Sequence, residues 1–238
     1  MNETPGRPLI RAFLDAPLSG PEIEAKSMEI IDREAPAHRF SPEEWQIVRR
    51  MIHTTGDFGI IEAVRFSPDA IAAGVAALHG CRSLIVDSNM IRSGISLARL
   101  RGVCGFYRKE SLICHIADED IERKARRTGL PRSIHAIEKA RPFVAGAICA
   151  FGNAPIALME LNRMIVEEGL RPALVIAMPV GFVHVVESKE ELMALDVPYI
   201  ALTGRRGGSP LAVSVIHALC GLVLPAHQKA DGGKAKDA

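Results

Sequence analysis

The chain is expected to fold as a three-layer α/β/α domain around a mostly parallel sheet of about five strands, preceded by N-terminal helices. Three observations predict this. Five short apolar runs recur through it: "SLIVD" (83–87), "LICHI" (112–116), "GAICAF" (146–151), "ALVIAM" (173–178) and "YIALT" (199–203). Continuous runs of this length suit strands buried on both faces, as in a parallel sheet. Helical patterns lie between them over 118–127, 153–168 and 185–195, and a last one covers 209–222. Helix-start signals ahead of the first run place two or three helices before the sheet.

Taken in order, residues 1–20 are interrupted by Pro and Gly and have little periodicity, so they are expected to form an arm. In "SPEEWQIVRRMI", Ser41 is the expected N-cap, Pro42 the first helical residue and Glu44 the third, which makes a capping box. Trp45, Val48 and Ile52 continue it as an apolar stripe at i, i+3 and i+7. "FSPDAIAAGVAALHG" repeats the Ser-Pro start and stops at Gly80. Residues 21–224 are read as a single α/β domain. The Lys/Ala/Gly/Asp-rich stretch 225–238 is expected to be a disordered tail.

With 238 residues, 48% hydrophobic and 24% charged, the chain has ordinary globular composition and can bury a sizeable core. A net charge of +1 gives no global pull toward nucleic acid or membrane. Cys81, Cys104, Cys114, Cys149 and Cys220 show no C-x-x-C spacing and no zinc-ligand grouping with histidine, so no metal site is expected. They read as reduced cytoplasmic thiols, mostly in the core. The opening stretch lacks a basic start followed by an apolar run, so no secretory leader is expected.

In open parallel sheets, ligands sit beyond the carboxyl ends of the strands. Here those ends carry Asp87-Ser88-Asn89, Gly152-Asn153-Ala154-Pro155, Pro179-Val180-Gly181 and the turn "GRRGGS" (204–209). Simple helix-on-sheet packing does not require that chemistry. Backbone N–H groups of "GRRGGS" with Arg205 and Arg206 suit an anion, or the glycines serve a tight turn. Neither a Walker loop nor a G-x-G-x-x-G fingerprint is present. His53 falls near the end of the 42–52 helix, where it complements the dipole or acts as a general acid that titrates near neutrality. His79 reads as a helix-end residue and His115 as a hydrogen-bonded core residue. His135 and His217 lie on helices without a partner at metal spacing, and His38 and His227 read as solvated. Arg49, Arg50, Arg65, Arg92, Arg99, Arg132, Arg205 and Arg206 cluster near loops and helix ends. They are a solvated face or a cradle for a ligand with several carboxylates, which Arg binds bidentately.

The stretches "IEAKSMEII", "RRMIHTTGD", "RFSPDAIAAGVAAL", "IVDSNMIRSGIS", "PRS", "AFGNAPIALMEL", "RPALVIAMPVGFVHVVESKE" and "GRRGGSPLAVSVIHAL" resemble, in this order, the precorrin-8X (cobalt-precorrin-8) methylmutase family. They cover about residues 22–222. The resemblance implies a homodimeric isomerase of cobalamin biosynthesis that moves a methyl group from carbon 11 to carbon 12 of the corrin ring system. It implies no cofactor, and a polycarboxylate tetrapyrrole as substrate. The family's catalytic histidine falls on His53. Ser27 matches a serine that faces the macrocycle, and Arg132 in "PRS" matches the arginine of the family's Thr-Arg-Ser stretch. Arg50 and Arg99 match basic positions near the site, and Gly94 and Asn153 match loops that wall the pocket. Pro131 stands where the family has Thr. His184 replaces a usual Gly or Asn and is a candidate second proton group. "RGVCGFYRKESL" is no close match. "GFVHVVESKE" looks closer to the branch whose substrate already carries cobalt. Two rivals stand beside the isomerase: a non-catalytic corrinoid carrier built on the same arginines, and an α/β enzyme holding a phosphorylated ligand at "GRRGGS".

Overall fold

The computed structural model describes residues 8–224, so the expected tail lies outside the described residues. The elements run α1 (Leu9–Asp15), α2 (Gly20–Glu34), α3 (Pro42–Thr55), α4 (Ile60–Ala63), β1 (Val64–Phe66), α5 (Ala70–His79) and β2 (Leu84–Val86). Then come α6 (Asn89–Gly94), α7 (Leu97–Val103), β3 (Leu112–Ile113), α8 (Glu119–Thr128), α9 (Arg132–Ala140) and β4 (Ile148–Phe151). The last are α10 (Pro155–Glu168), β5 (Leu174–Ala177), α11 (Val185–Met193), β6 (Tyr199–Leu202) and α12 (Ser209–Val223).

The sheet order is β1-β6-β5-β4-β2-β3. Every pairing is parallel except β1 with β6, which registers Val64 opposite Leu202. Alternate residues of each strand enter two separate cores. Leu84, Val86, Ile148, Ile176 and Ile200 pack with α3, α5 and α12 on one face. Ile85, Cys149, Phe151, Val175 and Ala201 pack with α9, α10 and α11 on the other. That period of two explains the continuous apolar runs, since both faces of each strand are covered.

The sheet has six strands rather than about five. The extra one, β1, is only "VRF", and its half-exposed pattern comes from its place on the edge. Only Leu112 and Ile113 of "LICHI" join the sheet. Cys114 and His115 leave it, and His115 Nδ1 meets Asp118 Oδ2 at 2.7 Å. The capping box at Ser41 and Glu44 forms with both bonds, at 3.2 and 2.8 Å. The second Ser-Pro start is different: α5 begins after Asp69 without a side-chain cap. The Ser67 hydroxyl instead accepts the Tyr199 N–H at 2.9 Å and ties the entry of α5 to β6. A helix, α1, forms within the expected arm but buries no side chain.

The five cysteines are not all free thiols. Cys81 and Cys104 form a disulfide that joins the end of α5 to the end of α7. Cys114, Cys149 and Cys220 are buried and free. Burial pushes the Cys149 thiol up to about 12, which suits a core residue and not a nucleophile.

Candidate active site

Most of the unusual residues at the strand ends hold one another. At the switch point between β2 and β4, Asp87 is 7% exposed. Its Oδ2 accepts N–H bonds from Asn153 at 2.8 Å and Ala154 at 2.7 Å, and both oxygens lie 3.2 Å from the Gly152 nitrogen. Burial raises its carboxyl pKa, and these three amides oppose that shift. The carboxylate thereby fills the N-terminus of α10, where an external anion would otherwise bind.

The "GRRGGS" turn is similarly engaged. Lys189 of α11 is inaccessible to solvent and donates to the Gly204 and Arg206 carbonyls at 2.9 and 2.8 Å. Arg206 pairs with Asp57 and donates to the Gly59 carbonyl at 2.8 Å, binding the turn to the segment after α3. Gly208 N–H donates to the Met178 carbonyl at 2.7 Å, so β5 and β6 end in one knot. A Cβ at Gly207 would run into the Met178 and Pro179 carbonyls. Arg205 lies 5.5 Å from the Phe182 ring centre as a cation–π contact. His184 sits in a left-handed conformation (φ 57°) as the cap of α11.

An open cleft of about 320 Å³ lies on the α3 and α12 side of the sheet. Arg50 and Thr54 line it from α3, Met90 and Gly94 from α6, and Pro210, Val213, Ser214 and His217 from α12. The α12 residues follow the i, i+3, i+4, i+7 spacing of one helix face. Gly94 is needed there, since a Cβ would lie 2.9 Å from Val213 Cγ2. A smaller recess of about 170 Å³ shares Arg50 and His217 and adds Glu24, Gln46 and Arg99.

The predicted residues divide between these places. Arg50 and Gly94 line the cleft, and Arg99 lines the recess. His53 lies in the last turn of α3, which ends on Gly56 at φ 66°; it is exposed, as the helix-end reading requires. It also shares the α3 strip of Gln46 and Arg50 at i, i+4 and i+7, on the recess side. Glu24 senses it: burial raises the Glu24 carboxyl, but Arg50, Arg99 and His53 together hold it below the ordinary value. Ser27 is half-buried and gives its hydroxyl to the Ile23 carbonyl. Arg132 is exposed at the start of α9, in the opposite helix layer. Asn153 is exposed beyond Asp87. Neither these three nor His53 lines the cleft or the recess.

His217 and Glu24 are the site residues that motif reasoning passes over. His217 Nε2 accepts the Ser96 N–H at 2.9 Å, so that nitrogen carries no proton. Burial, then the charges of Arg99 and Arg50, push its pKa down to about 4, and the imidazole is neutral. The signal for it was the apolar face of α12 interrupted by one histidine.

A family model described as precorrin-8X methylmutase matches residues 22–222. Among curated relatives, the cobalt-precorrin-8 methylmutase of Leptospira interrogans is 42% identical over 209 residues, covering 84% of this chain and 92% of its own. That of Priestia megaterium is 40% identical, covering 83% and 86%. The precorrin-8X methylmutase of Pseudomonas aeruginosa is 35% identical, covering 87% and 98%. The crystal structure of a precorrin-8x methyl mutase from Thermus thermophilus superposes with a TM-score of 0.77 at 40% identity, over 87% of this chain and 98% of that one.

Proposed function

The chain belongs to the precorrin-8X methylmutase family, and we propose that it moves the methyl group of its tetrapyrrole substrate from carbon 11 to carbon 12 with His53 as general acid. It is an isomerase of cobalamin biosynthesis. The observation that carries the catalytic assignment is the place of His53 on α3, one turn after Arg50 and next to Thr54, the two α3 residues that line the cleft, and near enough to Glu24 to affect its carboxyl.

The chemistry suits the residues. A methyl shift within a conjugated macrocycle requires no nucleophile and no electron carrier. It requires a proton delivered at or beside the ring that receives the methyl, which draws electron density from carbon 12 and promotes a 1,5-sigmatropic shift; the proton then returns to the imidazole, so the net change is an isomerisation. His53 is exposed and makes no hydrogen bond within the described residues, so its ring is open to a ligand. A general acid contributes typically ~10²–10⁴-fold, and positioning and pocket electrostatics supply the rest. Arg50 and Arg99 serve the substrate's carboxylates, and Gly94 lets α12 approach and close the cleft wall. Ser27, Arg132 and Asn153 are assigned to substrate contacts on the family resemblance alone.

We take the physiological substrate to be cobalt-precorrin-8, because the relatives at 42% and 40% identity bear that name. The metal is then part of the substrate. We further propose a cytoplasmic homodimer; sedimentation as a monomer at micromolar concentration would contradict the dimer. Purified protein offered each substrate separately under anaerobic conditions tests the main assignment. Conversion of cobalt-precorrin-8 in preference to precorrin-8X is expected, and binding without conversion of either would favour a carrier.

A further inference from the structure

We propose that the recess beside the cleft is a carboxylate-exchange subsite: Glu24 occupies Arg50 in the free protein, and a carboxylate arm of the substrate displaces it to lie between Arg50, Arg99 and His217. The inference rests on the methylmutase reading, whose substrate carries several carboxylates, and it assigns roles to Glu24 and His217.

Arg50 links the two spaces, since it borders both the cleft and the recess. Its partner is Glu24, at 2.7 Å through a single nitrogen, Nη1. A guanidinium can hold a carboxylate by two parallel bonds, so this one-point contact leaves a better geometry available to an incoming acid. The Glu24 side chain is 41% exposed. A pair that wet is worth at most about 1 kcal/mol, so its exchange is cheap.

The recess also holds a guanidinium with nothing to neutralise it at contact distance. Arg99 is half-buried, and its side chain makes no hydrogen bond or ion pair with another described residue. Arg49, which also lines the recess, is already matched by Asp32 at 2.6 Å. The recess thus has one spare positive charge while Glu24 is in place, and two when Glu24 swings out.

His217 completes the donor set. Ser96 N–H fixes Nε2 as an acceptor, which leaves Nδ1–H as the donor of the neutral ring. Burial and the two arginines keep the ring uncharged. It therefore adds direction without adding charge. The volume fits an arm rather than a ring system: about 170 Å³, below the ~300–1,000 Å³ of pockets that hold a whole ligand.

The test is isothermal titration of cobyrinic acid, the expected product, into the wild type and Glu24→Gln, Arg99→Gln and His217→Phe, with thermal melts on each and turnover of cobalt-precorrin-8 by the wild type. The subsite predicts opposite signs. Glu24→Gln should tighten binding about threefold or more, whereas Arg99→Gln and His217→Phe should weaken it about tenfold. A purely structural role would weaken all three in step with their melting temperatures. Unchanged or weaker binding by Glu24→Gln, or unchanged binding by His217→Phe, overturns the proposal. A wild type that binds and converts while the variants stay flat overturns the subsite alone. A wild type that does neither overturns the methylmutase reading and the subsite with it.

Discussion

Replacing Lys189 with Met probes the knot that holds the "GRRGGS" turn beside the cleft. The wild-type ammonium is inaccessible to solvent, and burial pushes its pKa down to about 8 from the ordinary 10.5. Below pH 8 both folded and unfolded chains carry the proton, and burial of the charge costs roughly 3 kcal/mol. Between 8 and 10.5 the unfolded chain binds more protons, so this group's contribution to stability rises with pH. Between pH 7 and pH 9.5 the gain is about 2 kcal/mol. The Met variant has no such titration. It also leaves the Gly204 and Arg206 carbonyls without donors, at about 1–3 kcal/mol each. At pH 7 those losses and the relieved burial cost partly offset, so the two proteins should lie within about 3 kcal/mol of each other. At pH 9.5 the wild type should pull ahead by about 2 kcal/mol more. Urea denaturation at the two pH values measures both gaps. A gap that stays constant or narrows would show that Lys189 bears its proton in the folded chain as readily as in water, and the reasoning would fail.

Gly207→Ala should destabilise by more than about 3 kcal/mol or abolish soluble expression, since its Cβ meets two carbonyls of the β5 end; a melting temperature near wild type would refute that packing. Reducing the Cys81–Cys104 bridge opens a 23-residue loop and should cost about 3 kcal/mol, read as a lower melting temperature with reductant. Thiol labelling of the native protein should then find two new reactive cysteines while the three buried ones stay protected. Arg132→Ala should raise KM about tenfold or more with little change in kcat, and a change confined to kcat would remove it from carboxylate anchoring.

The strands were legible where both faces of the sheet are covered, because burial on two sides writes itself as a continuous apolar run. β1 was not, since three residues with Arg65 in the middle become a strand only through pairing with distant β6. The same contrast separates the two Ser-Pro starts. Ser41 caps its own helix by local bonds, whereas the Ser67 hydroxyl is claimed by Tyr199, 132 residues away. The disulfide was invisible for that reason too: nothing in the spacing of Cys81 and Cys104 reveals that the ends of α5 and α7 meet.

At the site, the unusual chemistry of the strand ends was legible but its use was not. Asp87 and Arg206 read as ligand groups in one dimension, and in three they bind the backbone of neighbouring loops. His217 showed the reverse. As a lone helical histidine it carried no motif, yet the α12 face brings it into one recess with Arg50 and Arg99.

The central claim is that His53 supplies the proton for the methyl shift. The most direct measurement is single-turnover conversion of cobalt-precorrin-8, followed by absorbance under anaerobic conditions, for wild type and His53→Ala. The His53 side chain is exposed and unbonded, so the variant should melt like the wild type. It should still bind substrate and lose about 10²–10⁴-fold in rate. A variant that folds, binds and converts at close to the wild-type rate would contradict the account and leave His53 as the last turn of a helix.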